Sequence, residues 1–145
     1  MEFILRLIYD LTHVHPPHTM FVHFPIGLSG AALFFIILAM WKRSGLLEKV
    51  AFANISLAAV SVIPAAVMGN RDNLVFYNGE ASNYVVKIIL ATILFIVAAA
   101  TATTRWRNPD LFFKPSKVLY VAAYFASFGI AIVLSFLGGV IIYGF

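Results

Sequence analysis

The sequence predicts an all-α integral membrane protein, a bundle of four transmembrane helices preceded by a short amphipathic helix at the membrane interface. Three observations carry that prediction. Of 145 residues, 62% are hydrophobic and 11% are charged, against roughly 25% charged in a soluble domain. The apolar residues gather in four stretches of about 20 residues, the length that crosses a hydrocarbon core. The charges fall between those stretches. A chain this apolar has too little polar surface to cover a core in water, so lipid is the solvent its composition fits. Its length allows a single transmembrane domain, residues 1–145.

At the N-terminus, Phe3, Ile4, Leu7, Ile8 and Leu11 recur at helical spacing, with Glu2, Arg6 and Asp10 between them. That pattern predicts a helix lying on the membrane surface. A tail packed against a partner fits it equally well. The early Glu2 and the lack of a basic start argue against a secretion signal. Pro16 and Pro17 break the segment between His13 and His18.

The first span is predicted over about Thr19–Trp41, with Pro25 in its first turn or at a kink just below its start. The second runs over about Val50–Gly69, where Pro64 predicts a kink. The third covers about Tyr84–Thr104 and the fourth about Val118–Tyr143. Lys87 is the one charged residue inside these limits, near enough to an end for its ammonium to snorkel. No stretch alternates with period two, which disfavours strands.

Charge sets the expected orientation. Lys42, Arg43 and Lys49 lie between the first two spans, and Arg105, Arg107, Lys114 and Lys117 between the last two. These are seven of the ten basic residues. The positive-inside rule then places both termini, and the loop between spans two and three, outside the cytoplasm. Trp41 and Trp106 suit the inner aromatic belt, and Tyr77, Tyr84 and Tyr143 the outer one. The outer loop, Asn70 to Asn83, is the one substantial polar segment and carries a turn signal at Asn78-Gly79. The basic pI does not point to nucleic acid, because no basic stripe interleaves with aromatics.

Helices in lipid associate through close packing of small residues. In span four, Ala123, Ser127, Ala131, Ser135 and Gly139 recur every fourth residue, and Gly129 and Gly138 widen the surface. That face is expected to make a close helix contact, within the bundle or with another subunit. A flat pigment or a lipid is the alternative occupant. Ser61, Ala65 and Gly69 form a shorter stripe in span two, and Asn54 and Ser56 are placed to bond across helices.

The chemistry-bearing residues are few. There is no cysteine, which removes thiol chemistry, iron–sulfur ligation and covalent c-type haem. No acid lies within the span limits to relay protons, and no glycine-rich phosphate loop precedes a helix. All four histidines lie between His13 and His23. His23, with His18 beside it, is the candidate binding site, at the outer end of span one. Histidine serves as a metal or haem ligand and a proton acceptor. The plainer role for His23 is to satisfy a backbone carbonyl freed by Pro25. Bis-histidine b-haem between helices is disfavoured, because spans two, three and four contain no histidine. His18 and His23 stand about 140° apart on an unbroken helix, so they cannot grip one ion unless the helix starts late or bends. Zinc held by His13, His15, His18 and His23 would need the proline-broken stretch to fold back. Asp72, Asn73, Glu80 and Tyr143 emerge on the same side and could complete a site there.

The run His18-Thr-Met-Phe-Val-His23-Phe-Pro-Ile-Gly-Leu28 resembles the opening signature of the bacterial DUF2231 family of predicted membrane proteins. Gly138-Gly-Val-Ile-Ile-Tyr143-Gly144 is similar to its closing signature. The resemblance implies four spans over nearly the whole chain and leaves activity open. Two departures stand out. Thr19 follows His18 where the family has proline, and Ala81 to Lys87 holds no histidine where many members have one. If members bind haem, quinone or metal through histidines on two helices, half that site is missing here.

Two functions are expected from these features. The first is a non-catalytic accessory subunit of a larger bacterial membrane complex, respiratory or photosynthetic, among membrane lipids and other integral subunits. The second is a redox or ligand-binding module using His23 and His18, with b-haem, quinone or a metal. No cofactor is required by the sequence. The expected location is the bacterial plasma membrane.

Overall fold

The computed structural model describes residues 2–10 and 17–143. Its helices are α1 (Glu2–Tyr9), α2 (His18–Lys42), α3 (Gly45–Tyr77), α4 (Tyr84–Arg107) and α5 (Lys117–Tyr143), with a 3-10 turn at Leu111–Phe113. The four helices α2 to α5 are long and apolar enough to cross a membrane. No strand occurs among the described residues. Each long helix packs on the next, and α5 closes the ring on α2. One end of the bundle carries the α2–α3 and α4–α5 connections and is called the Glu48 end. The other carries the start of α2 and the α3–α4 connection and is called the His18 end.

The most extensive pairing, α2 on α3, follows from a two-residue link. Arg43 adopts a left-handed conformation with φ 50°, and its N–H and that of Ser44 both donate to the Ala39 carbonyl. Ser44 then starts α3, its hydroxyl accepting from the Leu47 N–H. Below that turn the facing residues are small. Ala32 and Ala39 of α2 and Ala51, Ala58 and Ala59 of α3 are all buried, so the backbones approach closely. Ile36, Ile55, Ala98, Val121 and Tyr124 join the same core, and Leu111 and Phe112 of the 3-10 turn cap it at the Glu48 end.

Helix α3 differs most from expectation. It has 33 residues, about 50 Å at 1.5 Å per residue against a hydrocarbon core of about 30 Å. Residues 70–77, expected as loop, continue the helix. It ends at the expected turn, with Asn78 at φ 51° and Gly79 at φ 85°. Asn and Gly tolerate this region where most side chains do not. Helix α3 also runs through Pro64 as one element, as α2 does through Pro25. Because α3 extends at both ends, it contains two acids that the apolar limits left outside: Glu48 and Asp72, both buried.

Glu48 is the centre of a buried polar cluster. Arg105 of α4 donates from Nε and Nη2 to its two carboxylate oxygens at 2.5 and 2.8 Å. Tyr120 of α5 donates to Oε1 at 2.8 Å, and the Tyr124 hydroxyl lies 2.6 Å from that of Tyr120. Since Tyr120 gives its proton to the carboxylate, Tyr124 is the donor to Tyr120. Three helices are thereby tied at one point, with Glu48 1% and Arg105 8% exposed. Such bidentate, charge-assisted bonds are the strong kind.

Several other polar side chains within the helices serve their own backbone. Asn54 donates to Val50 and Ser56 to Phe52, which corrects the expectation that they bond across helices. Ser127 donates to the Ala123 carbonyl and Thr101 to the Val97 carbonyl. In an apolar solvent a hydroxyl one turn from a carbonyl satisfies itself before it meets a neighbour.

Helix α1 leaves Phe3, Ile4, Leu5 and Tyr9 exposed. The stretch around His13 and His15 lies outside the described residues. Trp41 and Trp106 are both exposed at the Glu48 end, with the Lys42 ammonium 4.5 Å from the Trp41 ring centre.

Candidate functional site

At the His18 end the four helices separate and leave a cleft of about 460 Å³. Its size lies in the range of roughly 300–1,000 Å³ typical of small-molecule sites. The separation has a sequence cause. The facing residues there are Ala65 and Gly69 on α3, Ala91 on α4, and Ser135, Gly138 and Gly139 on α5. These residues are small, and they leave volume that longer side chains would fill. Val62, Leu94 and Ala131, buried together, form the floor. A Cβ added at Gly138 would meet no atom within 4 Å, so the volume in front of it is empty.

Polar groups collect at the mouth. His18 opens α2, and its backbone N–H donates to Asp72 Oδ2 of α3 at 2.8 Å. A carboxylate thus caps the N-terminus of a neighbouring helix, where the helix dipole favours negative charge. The His18 Nδ1 lies 2.9 Å from the Ala65 carbonyl. A carbonyl can only accept, so Nδ1 carries a proton. Asp72 Oδ1 accepts from Arg71 Nη1 at 3.2 Å. The Tyr84 hydroxyl donates to Asn70 Oδ1, joining α4 to α3, and Asn73 Oδ1 accepts the Ala81 N–H.

The predicted residues fall into place unevenly. His18 and His23 both line the cleft, as do Asp72 and Asn73. Glu80 is exposed and does not line it. The Tyr143 side chain lies outside the described residues. His23 is exposed, and its Nδ1 bonds to the Thr19 carbonyl on its own helix. That corrects its expected partner: a proline at 25 frees the carbonyl of residue 21, not 19. Helix α2 starts at His18 and is continuous past His23, so the late start that would bring the two rings onto one ion does not occur. Among the described residues no three of His, Asp or Glu gather closely enough to hold a metal.

The small-residue face of α5 divides in two. Ser127 and Ala131 are fully buried and Ala123 half-buried, whereas Ser135 is exposed and Gly139 half-buried along the cleft. Sequence reasoning missed Tyr84 and Lys87 as cleft residues. Their i, i+3 spacing with Ile88, Ala91 and Leu94 on one helical face was the available signal.

Gly69 sets how closely α3 approaches His18. A Cβ there would lie 2.9 Å from both Nδ1 and Cε1 of the His18 ring. Gly69→Ala is expected to displace the ring, break its bond to Ala65 and cost about 1 kcal/mol. Loss of the Nδ1–H imidazole signature in nitrogen NMR, together with a lower melting temperature, would report it. An unchanged imidazole spectrum would show that the contact yields elsewhere.

A family model described as a predicted membrane protein matches residues 14–145. No curated protein and no solved structure matches the chain.

Proposed function

The chain belongs to the DUF2231 family of predicted membrane proteins, and from that premise we propose that it is a non-catalytic binding module that holds a lipophilic molecule in the cleft at the His18 end. The observation that supports this reading is the cleft itself. It has an apolar floor, small residues along part of its wall and polar groups gathered mainly toward the mouth, the pattern of a site for an apolar body with a polar head. His18 and His23 are the proposed binding residues from α2. In each ring Nδ1 is held by a backbone carbonyl. A quinone or a membrane lipid suits this arrangement. Mass spectrometry of organic extracts from protein purified in a mild detergent tests it. A lipophilic molecule retained at close to one per chain is expected, and its absence from several detergents and from native membranes would remove the reading.

A second reading is favoured by α1. Its exposed Phe3, Ile4, Leu5 and Tyr9 need cover, and another membrane subunit would supply it. On this reading the protein is an accessory subunit of a larger assembly, such as an electron-transfer complex. A co-migrating partner on blue-native gels, lost when residues 2–9 are deleted, is the expected result.

The proposed setting is a bacterial plasma membrane with both termini extracytoplasmic. The seven basic residues at the Glu48 end support that orientation. Reporter fusions at Lys42 and Glu80 are expected to read cytoplasm and exterior respectively. The reverse pattern would invert the bundle.

A further inference from the structure

The cleft contains one charge that the protein does not answer. Both oxygens of Asp72 are engaged, by the His18 N–H and by Arg71. Among the described residues the Lys87 ammonium has no ion-pair or hydrogen-bond partner. It is also turned the costly way. Lys87 shares the cleft face of α4 with Ala91 and buried Leu94, while Val85, Val86 and Ile89 are exposed on the other faces. A lysine near a helix end reaches the headgroups at little cost from the lipid side. One that faces the interior of a bundle marks a ligand path and needs a counter-charge.

We infer that the cleft takes an anionic amphiphile, an acyl-type chain with a carboxylate or phosphate head, and that Lys87 Nζ is the partner of that head. The inference rests on the reading of the cleft as a lipophilic site. The chain would run from the mouth past Gly138 toward the floor at Val62 and Ala131, along the side where Ala65, Gly69, Gly138 and Gly139 line the cleft. Asp72 does not repel the head, because Arg71 already neutralises it.

The full chain in nanodiscs of phosphatidylcholine, titrated with laurate, dodecyl phosphate, phosphatidylglycerol and dodecanol, tests this by thermal shift and by competition with a fluorescent fatty acid. Binding of an anionic ligand in preference to dodecanol is expected, with affinity falling roughly tenfold to a hundredfold in Lys87→Met and retained in Lys87→Arg. Response to laurate or dodecyl phosphate alone assigns a free single-chain ligand. Response to phosphatidylglycerol assigns a bilayer lipid. Equal binding of laurate and dodecanol by wild type and Lys87→Met would overturn the role of Lys87 and leave the cleft as a lipophilic site. No binding of any of the four would overturn both. Should Lys87→Met fail to fold, the laurate-to-dodecanol ratio of the wild-type protein decides by itself.

Discussion

Glu48→Ala is expected to cost about 3–5 kcal/mol of stability, the usual penalty for removing one partner of a buried ion pair. The magnitude follows from what remains. Arg105 would keep its charge in a site 8% exposed, with both guanidinium bonds lost and Tyr120 deprived of its acceptor. Equilibrium unfolding in mixed detergent micelles measures it. Two companion variants separate the causes. Tyr120→Phe removes the bond to the carboxylate and also the acceptor of the Tyr124 hydroxyl, and is expected to cost at least about 1.5–3 kcal/mol. Glu48→Leu combined with Arg105→Met removes both charges and is expected to recover most of the loss. If the double variant is as unstable as Glu48→Ala, packing rather than charge governs the site.

The second large effect concerns two positions four residues apart on α5. Ala131 is fully buried against Val62 and Leu94. Ala131→Leu forces three added carbons into filled space and is expected to cost about 1–3 kcal/mol. Ser135 is exposed along the cleft. Ser135→Leu is expected to leave stability within about 0.5 kcal/mol while filling part of the cleft and displacing whatever it holds. Melting temperature together with the lipid content of the purified variants separates the two. A Ser135→Leu protein that loses stability as Ala131→Leu does would mean that the cleft closes onto this position.

The four long helices could be read from the chain because hydropathy over 20 residues is a sum to which every residue contributes. Their ends could not, because an acid or an asparagine reads as a stop whether it lies in water or against a partner. Glu48 falls outside the predicted span limits on that ground. Its partner Arg105 lies 57 residues away, and no local pattern joins them. Asn70 to Tyr77 has the composition of a loop for the same reason. The histidine-rich start lies at the end of the bundle where the cleft opens. The cleft beside it is a property of four helices at once, made by what their faces lack. The small residues that make it were visible, but a stripe of alanine, serine and glycine looks the same whether it meets a helix, as at Ala131, or open volume, as at Gly138.

The Glu48–Arg105 pair also has a consequence for biogenesis. At roughly 5–20 residues per second, Arg105 follows Glu48 out of the ribosome after roughly three to eleven seconds. Through that interval the insertion machinery handles a helical hairpin, α2 with α3, that carries a carboxylate without its counter-ion. The hairpin therefore has to wait with its Glu48 end in contact with water or a chaperone until α4 arrives. Tyr120 and Tyr124 come later still and close over the pair. A nascent chain stopped before α4 would therefore carry Glu48 without the charge that answers it in the finished bundle.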